Sequence, residues 1–145
     1  MSAELLIANL LRVAKEDLEG ARLLATSRNR NAVYLCEQAA EKVIRAVLTS
    51  EGKHAGVRHQ FDAMGDLVPD ENPLKPALRS IEHLAAYATS YRYPTASGRV
   101  QPAPASASMA AAIAGVEAAL VRAAGHFGVD LVGAGSPAAH ARPIR

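Results

Sequence analysis

Along this chain the apolar positions recur every three or four residues, the period of a helix buried along one side. From residue 3 to 27, Leu6, Leu10, Val13, Leu18, Ala21 and Leu24 follow that spacing and predict a long amphipathic helix. Ser27-Arg28-Asn29-Arg30-Asn31 is a polar turn, and Asn31 is placed to cap a second helix over residues 32–50 that stops before Gly52. Two helices joined by so short a turn pack antiparallel. Residues 52–58 read as a loop and His59–Leu67 as a short helix. Pro69 and Pro73 bracket a break, after which a helix is predicted from Leu74 to Ser90, with Pro76 accommodated in its first turn. Residues 95–108, rich in Pro, Ala, Ser and Gly, form a loop before a last helix over 108–127, for which Ser106 or Ser108 is the expected cap. The pattern predicts an all-α fold: an up-and-down antiparallel bundle of four main helices plus a short extra helix, in one domain over residues 1–132. The Gly/Ala/Pro-rich segment 133–145 is expected to be a disordered tail.

Composition sharpens this picture. Half of the 145 residues are hydrophobic, yet only four Tyr and two Phe are aromatic and Trp is absent. Ala and Leu dominate, and both are strong helix formers. A net charge of +2 does not by itself point to nucleic acid. Cys36 is the only cysteine, which excludes an internal disulfide and a cysteine-based zinc cluster and fits a reducing compartment. The first residues show no signal-peptide pattern, and Glu117 interrupts the one Ala-rich apolar run, so a cytoplasmic protein that does not span a membrane is expected.

Little in the chain looks catalytic. There is no Gly-x-Ser-x-Gly, no Gly-x-Gly-x-x-Gly and no phosphate-binding Gly-Lys-Ser/Thr loop. His54 and His59 lack the spacing and companions of a metal site, so no metal and no cofactor is expected. Two stretches stand out. In Cys36–Leu48, Gln38 and Lys42 share one helix face, and Glu41 and Arg45 share the neighbouring one in the order that favours an ion pair. Such a stripe is either a solvated face or a polar ledge for a phosphate, a nucleotide or a partner helix. In Tyr87–Pro94, three of the four tyrosines crowd around Arg92 where Pro94 stops a helix and pushes Tyr93 to extended backbone. Arg92 complements the helix dipole there. An arginine between aromatic rings is also a surface for phosphate and base. Composition does not choose between these readings.

The same pieces, taken in order, resemble the HEPN family of small helical domains. Asp17-Leu18-x-x-Ala21-x-Leu23-Leu24 lies on the first helix, Gln38-Ala39-x-Glu41-Lys42 on the second, His59 follows the Gly52 loop, and Arg92-Tyr93-Pro94 closes the set. The resemblance implies a helical bundle that is often a homodimer, with the second helix and the Arg-Tyr-Pro end bordering a shared polar groove. Its ligand-binding set is then Gln38, Glu41, Lys42, His59, Tyr91, Arg92 and Tyr93. It further implies a nucleotide ligand, a small nucleotidyltransferase as partner protein, or both, in some cases as a toxin–antitoxin pair. A second branch of the family comprises ribonucleases, acting on RNA as dimers without metal through an arginine followed by a histidine after four to six residues. That motif is absent here. Arg79/His83 and Arg122/His126 come nearest, each one residue too short, and Arg79 with His83 as base is the alternative catalytic pair.

Overall fold

The computed structural model describes residues 2–54, 56, 61–133 and 135–145, and of residues 86–89 the backbone alone. The described residues form six helices and no strand: α1 (Ala3–Thr26), α2 (Asn31–Ser50), α3 (Phe61–Asp66), α4 (Lys75–Arg79), α5 (Leu84–Arg92) and α6 (Ser106–Phe127). The fold is an all-α bundle in which α2 packs against α1, α5 and α6, with α3 beside it.

α1 begins where Ser2 Oγ accepts a hydrogen bond from the Leu5 amide at 3.2 Å. Its buried stripe is Ile7, Leu11, Ala14, Leu18 and Ala21, with Ala8 beside it. The expected stripe was therefore rotated: Leu18 and Ala21 are buried, but Leu6 and Val13 are 36% and 40% exposed. The reason is steric. Ala14 and Ala21 of α1 and Ala39 and Ala46 of α2 are fully buried, and small residues let the two backbones approach closely. A Cβ on Gly20 would stand only 2.9 Å from Leu35 Cδ1.

Asn31 is the first helical residue of α2 rather than its cap; the Asn31 amide instead donates to Asn29 Oδ1 at 2.9 Å. α2 ends as expected. Gly52 takes φ +70°, its amide donates to the Thr49 carbonyl at 3.0 Å, and the Lys53 amide donates to Leu48 at 2.9 Å. That pair of bonds satisfies the last carbonyls of the helix, and only glycine adopts the conformation without strain.

The predicted helix over 74–90 is two helices. Between α4 and α5 the amides of Ile81, Glu82, Leu84 and Ala85 donate to carbonyls three residues back. This tighter 3₁₀-like winding interrupts the α-helix. α6 starts at Ser106 with no side-chain cap from either expected serine. Ser106 Oγ is occupied by Arg28 Nη1 at 3.0 Å. Among the described residues, only α6 is long and apolar enough to cross a membrane, at a mean hydropathy of 1.4. Here it lies in the bundle and buries Met109, Ile113, Val116, Leu120 and Phe127.

The segment after α6, expected as a disordered tail from residue 133, folds back on the bundle. The Ala138 amide donates to the Glu4 carbonyl and the Ala139 amide to that of Phe127, each at 3.0 Å. Arg145 Nη1 and Nη2 grip the two Glu51 carboxylate oxygens at 2.7 and 2.9 Å. Ala138 joins the core at 4% exposure, a burial that Gly/Ala/Pro composition hides.

Candidate functional site

Pro94 ends α5 as expected, and Tyr93 takes φ −130° and ψ 154°. α5 packs against α2, and this packing brings Arg92 to the start of α2. The Arg92 Cζ lies 4.6 Å from the ring centroid of Tyr34 and 5.6 Å from that of Tyr93. Both distances fall within cation–π range. Tyr93 is 67% exposed. Tyr91, by contrast, is half-buried against the core and anchors the helix. The ring that completes the cluster is Tyr34, the one tyrosine outside the Tyr87–Pro94 group.

From Tyr34 the same face of α2 continues through Gln38, Glu41 and Arg45 at steps of three or four residues. Gln38 Nε2 donates to Glu37 Oε2 at 2.9 Å. Glu37 and Glu41 are both buried, at 6% and 7% exposure. Glu41 Oε1 accepts from Arg45 Nη2 at 3.5 Å, the expected ion pair. The burial of Glu37 was missed, although its position among Val33, Ala40 and Ile44 on the helical wheel marks it as facing inward.

Lys42 stands apart. Its Nζ donates to Asp17 Oδ2 at 2.6 Å, and the two side chains are 22% and 18% exposed. One step around the helix turns Lys42 from the Tyr34 face toward α1, so it ties α1 to α2 instead of joining Arg92. His59 lies outside the described residues. Of the seven expected site residues, the structure puts Arg92 and Tyr93 together around Tyr34, with Gln38 one turn and Glu41 two turns farther along α2.

Arg79 and His83 do not share a helix face. The 3₁₀-like winding brings residues three apart into line, so Arg79 meets Glu82 and not His83. Arg79 Nη2 also donates to Asp66 Oδ1 at 2.6 Å, and these two carboxylates raise its pKa further. Cys36 is buried, and burial first, then the Glu37 charge, pushes its thiol up to about 12. Among the described residues no three His, Cys, Asp or Glu side chains come together as metal ligands.

Two clefts lie elsewhere. One of about 510 Å3 runs between α1 and α6, past Arg22, Arg28 and Ile113. Another of about 420 Å3 lies between the α4–α5 turn and α6. The Tyr34–Arg92–Tyr93 cluster borders neither, and forms an open ledge.

A small all-helical bundle carrying an arginine between aromatic rings at a proline-stopped helix end defines a class of compact helical domains. The HEPN domain family model matches residues 7–118, from the first turns of α1 into α6, and the chain belongs to that family. The matched span contains every residue of the ledge. No curated protein and no solved structure matches the chain.

Proposed function

We propose that this protein is a HEPN-type binding module that takes a nucleotide on the ledge formed by Tyr34, Arg92 and Tyr93. The observation that carries the reading is the placement of the exposed Arg92 guanidinium within 4.6 and 5.6 Å of two aromatic rings. Such an arginine offers charge-assisted hydrogen bonds to phosphate beside a ring that stacks on a base. Tyr93 is the accessible stacking ring, Arg92 holds phosphate, and the Gln38 amide supplies further donors and acceptors one turn from Tyr34. The buried Glu41 orients Arg45. Tyr91 supports the ledge from the core side. An open ledge suits a nucleotide presented on a larger partner. A nucleotidyltransferase is that partner, in a toxin–antitoxin type pair, with the module itself a homodimer in the cytoplasm. Membership of a family often linked to nucleotide or RNA interaction supports the same reading.

The alternative, a metal-independent ribonuclease built on Arg79 and His83, is disfavoured by one observation: Arg79 is already held by Asp66 and Glu82. The test is to record backbone amide shifts while titrating nucleoside mono- and triphosphates and short RNA. The proposal expects shifts centred on Tyr34, Gln38, Arg92 and Tyr93. Shifts confined to the cleft between α1 and α6, or none with any ligand, contradict it.

A further inference from the structure

The segment after α6 is seated closely on that helix's end. Gly128 takes φ +63°, and a Cβ there would stand 2.6 Å from the Ala139 Cβ. Beyond the two bonds of Ala138 and Ala139, the Ile144 amide donates to His126 Nε2 at 3.2 Å. His140 packs into the same corner, with its ring centroid 5.9 Å from both His126 and Phe127. His140 Nδ1 is in turn 3.0 Å from the Arg142 carbonyl. Arg12 secures the near end of the segment, with Nε and Nη2 on the Asp130 carbonyl at 3.0 and 2.9 Å.

We propose that this segment is a proton-gated strap, held shut by a neutral His126 that accepts the Ile144 amide and opened when His126 is protonated. A protonated imidazole has no acceptor nitrogen, so it confronts the Ile144 N–H with a donor. It also sets a positive charge beside His140. The other charged groups at this end include Glu4 on α1, Glu51 and Lys53 at the end of α2, Glu71 in the turn before α4, Arg122 one turn earlier on α6, Arg142 and Arg145 on the strap itself, and Arg12 and Asp130 at its near end. Burial, then the neighbouring His140, lowers the His126 pKa from its usual 6.5. The sign follows: the neutral form goes with the closed strap, whose stabilisation is complete above pH 6.5 and is lost as pH falls through the depressed value. Glu51 is not the sensor, because Arg145 holds its carboxylate ionised below the usual range. It is the tether that lets the strap close again. Opening uncovers Phe127, which is fully buried in the closed form. This inference is independent of the nucleotide ledge.

Hydrogen exchange on the full chain at pH 7.5 and 5.0, corrected for intrinsic rates, tests it. Protection of the Ala138, Ala139 and Ile144 amides should fall by up to about tenfold per pH unit between pH 6.5 and the depressed pKa, while α1 and α2 stay protected. In His126→Gln the amide oxygen replaces the acceptor and does not titrate, so protection should not change with pH. In His140→Gln the loss should be smaller and end at higher pH, because removing a like charge raises the closed-form His126 pKa towards 6.5. Equal protection of the wild-type strap at both pH values overturns the proposal, as does an unchanged pH loss in His126→Gln. If His126→Gln leaves the strap unprotected throughout, an unmoved midpoint in His140→Gln overturns it.

Discussion

Arg92, in the last turn of α5, stands 4.6 Å over the ring of Tyr34 near the start of α2. The contact joins two helices far apart in sequence and makes the α2 ring part of the Arg-Tyr-Pro ledge. Tyr34→Leu should therefore weaken nucleotide binding by about 0.5–1 kcal/mol, the worth of a cation–π contact at an exposed site. Tyr34→Phe keeps the ring and should bind like wild type. Calorimetric titration of both variants checks this, and equal losses in the two would mean that the hydroxyl matters and the ring does not.

Lys42 gives the opposite expectation. With its ammonium on Asp17, Lys42→Met should lower unfolding stability by about 1–2 kcal/mol, between the values for exposed and buried ion pairs. Nucleotide affinity should not change. Urea unfolding with parallel titration separates the two effects, and unchanged stability with lost affinity would return Lys42 to the ledge.

These two residues show what the sequence held and what it hid. Helical spacing was enough to read α1, α2 and α6 as long helices, and the short turn after α1 to pair α1 with α2. The phase of α1 was harder, because Leu6 and Ile7 are equally apolar and only the alanines packed on α2 decide which is buried. The break between α4 and α5 was hidden because a switch to bonds three residues back needs no Gly or Pro. At the site, Arg92, Tyr93 and Pro94 are adjacent and were read together. Tyr34 comes to Arg92 only through helix packing, which no local pattern records. Gln38 and Lys42 share a period, yet Gln38 donates to Glu37 on its own helix while the longer Lys42 reaches across to Asp17 on α1.

Cys36 should be inert in the folded protein. With its pKa pushed up to about 12 by burial, only about one thiol in ten thousand is ionised at pH 8, and the thiolate is the reactive form. A colorimetric thiol reagent should react at the rate of unfolding and stoichiometrically in denaturant. Immediate reaction of the native protein would show that α2 is open at this position.

Asn72, 1% exposed, binds the end of α2 to the α4 approach: its Nδ2 donates to Glu51 Oε1 and its Oδ1 accepts from the Leu74 amide, both at 2.9 Å. Asn72→Ala should cost about 1–3 kcal/mol by leaving buried partners unmet. The Glu51 pKa is lowered, chiefly by the hydrogen bond from Arg145. Its contribution is therefore present above pH 4.5 and lost as pH falls through the lowered value. Glu51→Gln should flatten the acid limb of the stability curve. Denaturant midpoints at pH 7 and pH 3 measure it, and parallel curves for wild type and variant would contradict the assignment.

The most direct test concerns Arg92, read by nucleotide affinity and melting temperature on the same samples of wild type, Arg92→Ala and Arg92→Lys. A phosphate-binding arginine predicts that Arg92→Ala loses about 1.5–3 kcal/mol of affinity with little change in melting temperature. Arg92→Lys should recover only part of it, because lysine keeps the charge without the two-pronged donor edge. A lower melting temperature with unchanged affinity in Arg92→Ala would contradict the account and leave the arginine as the terminator of α5.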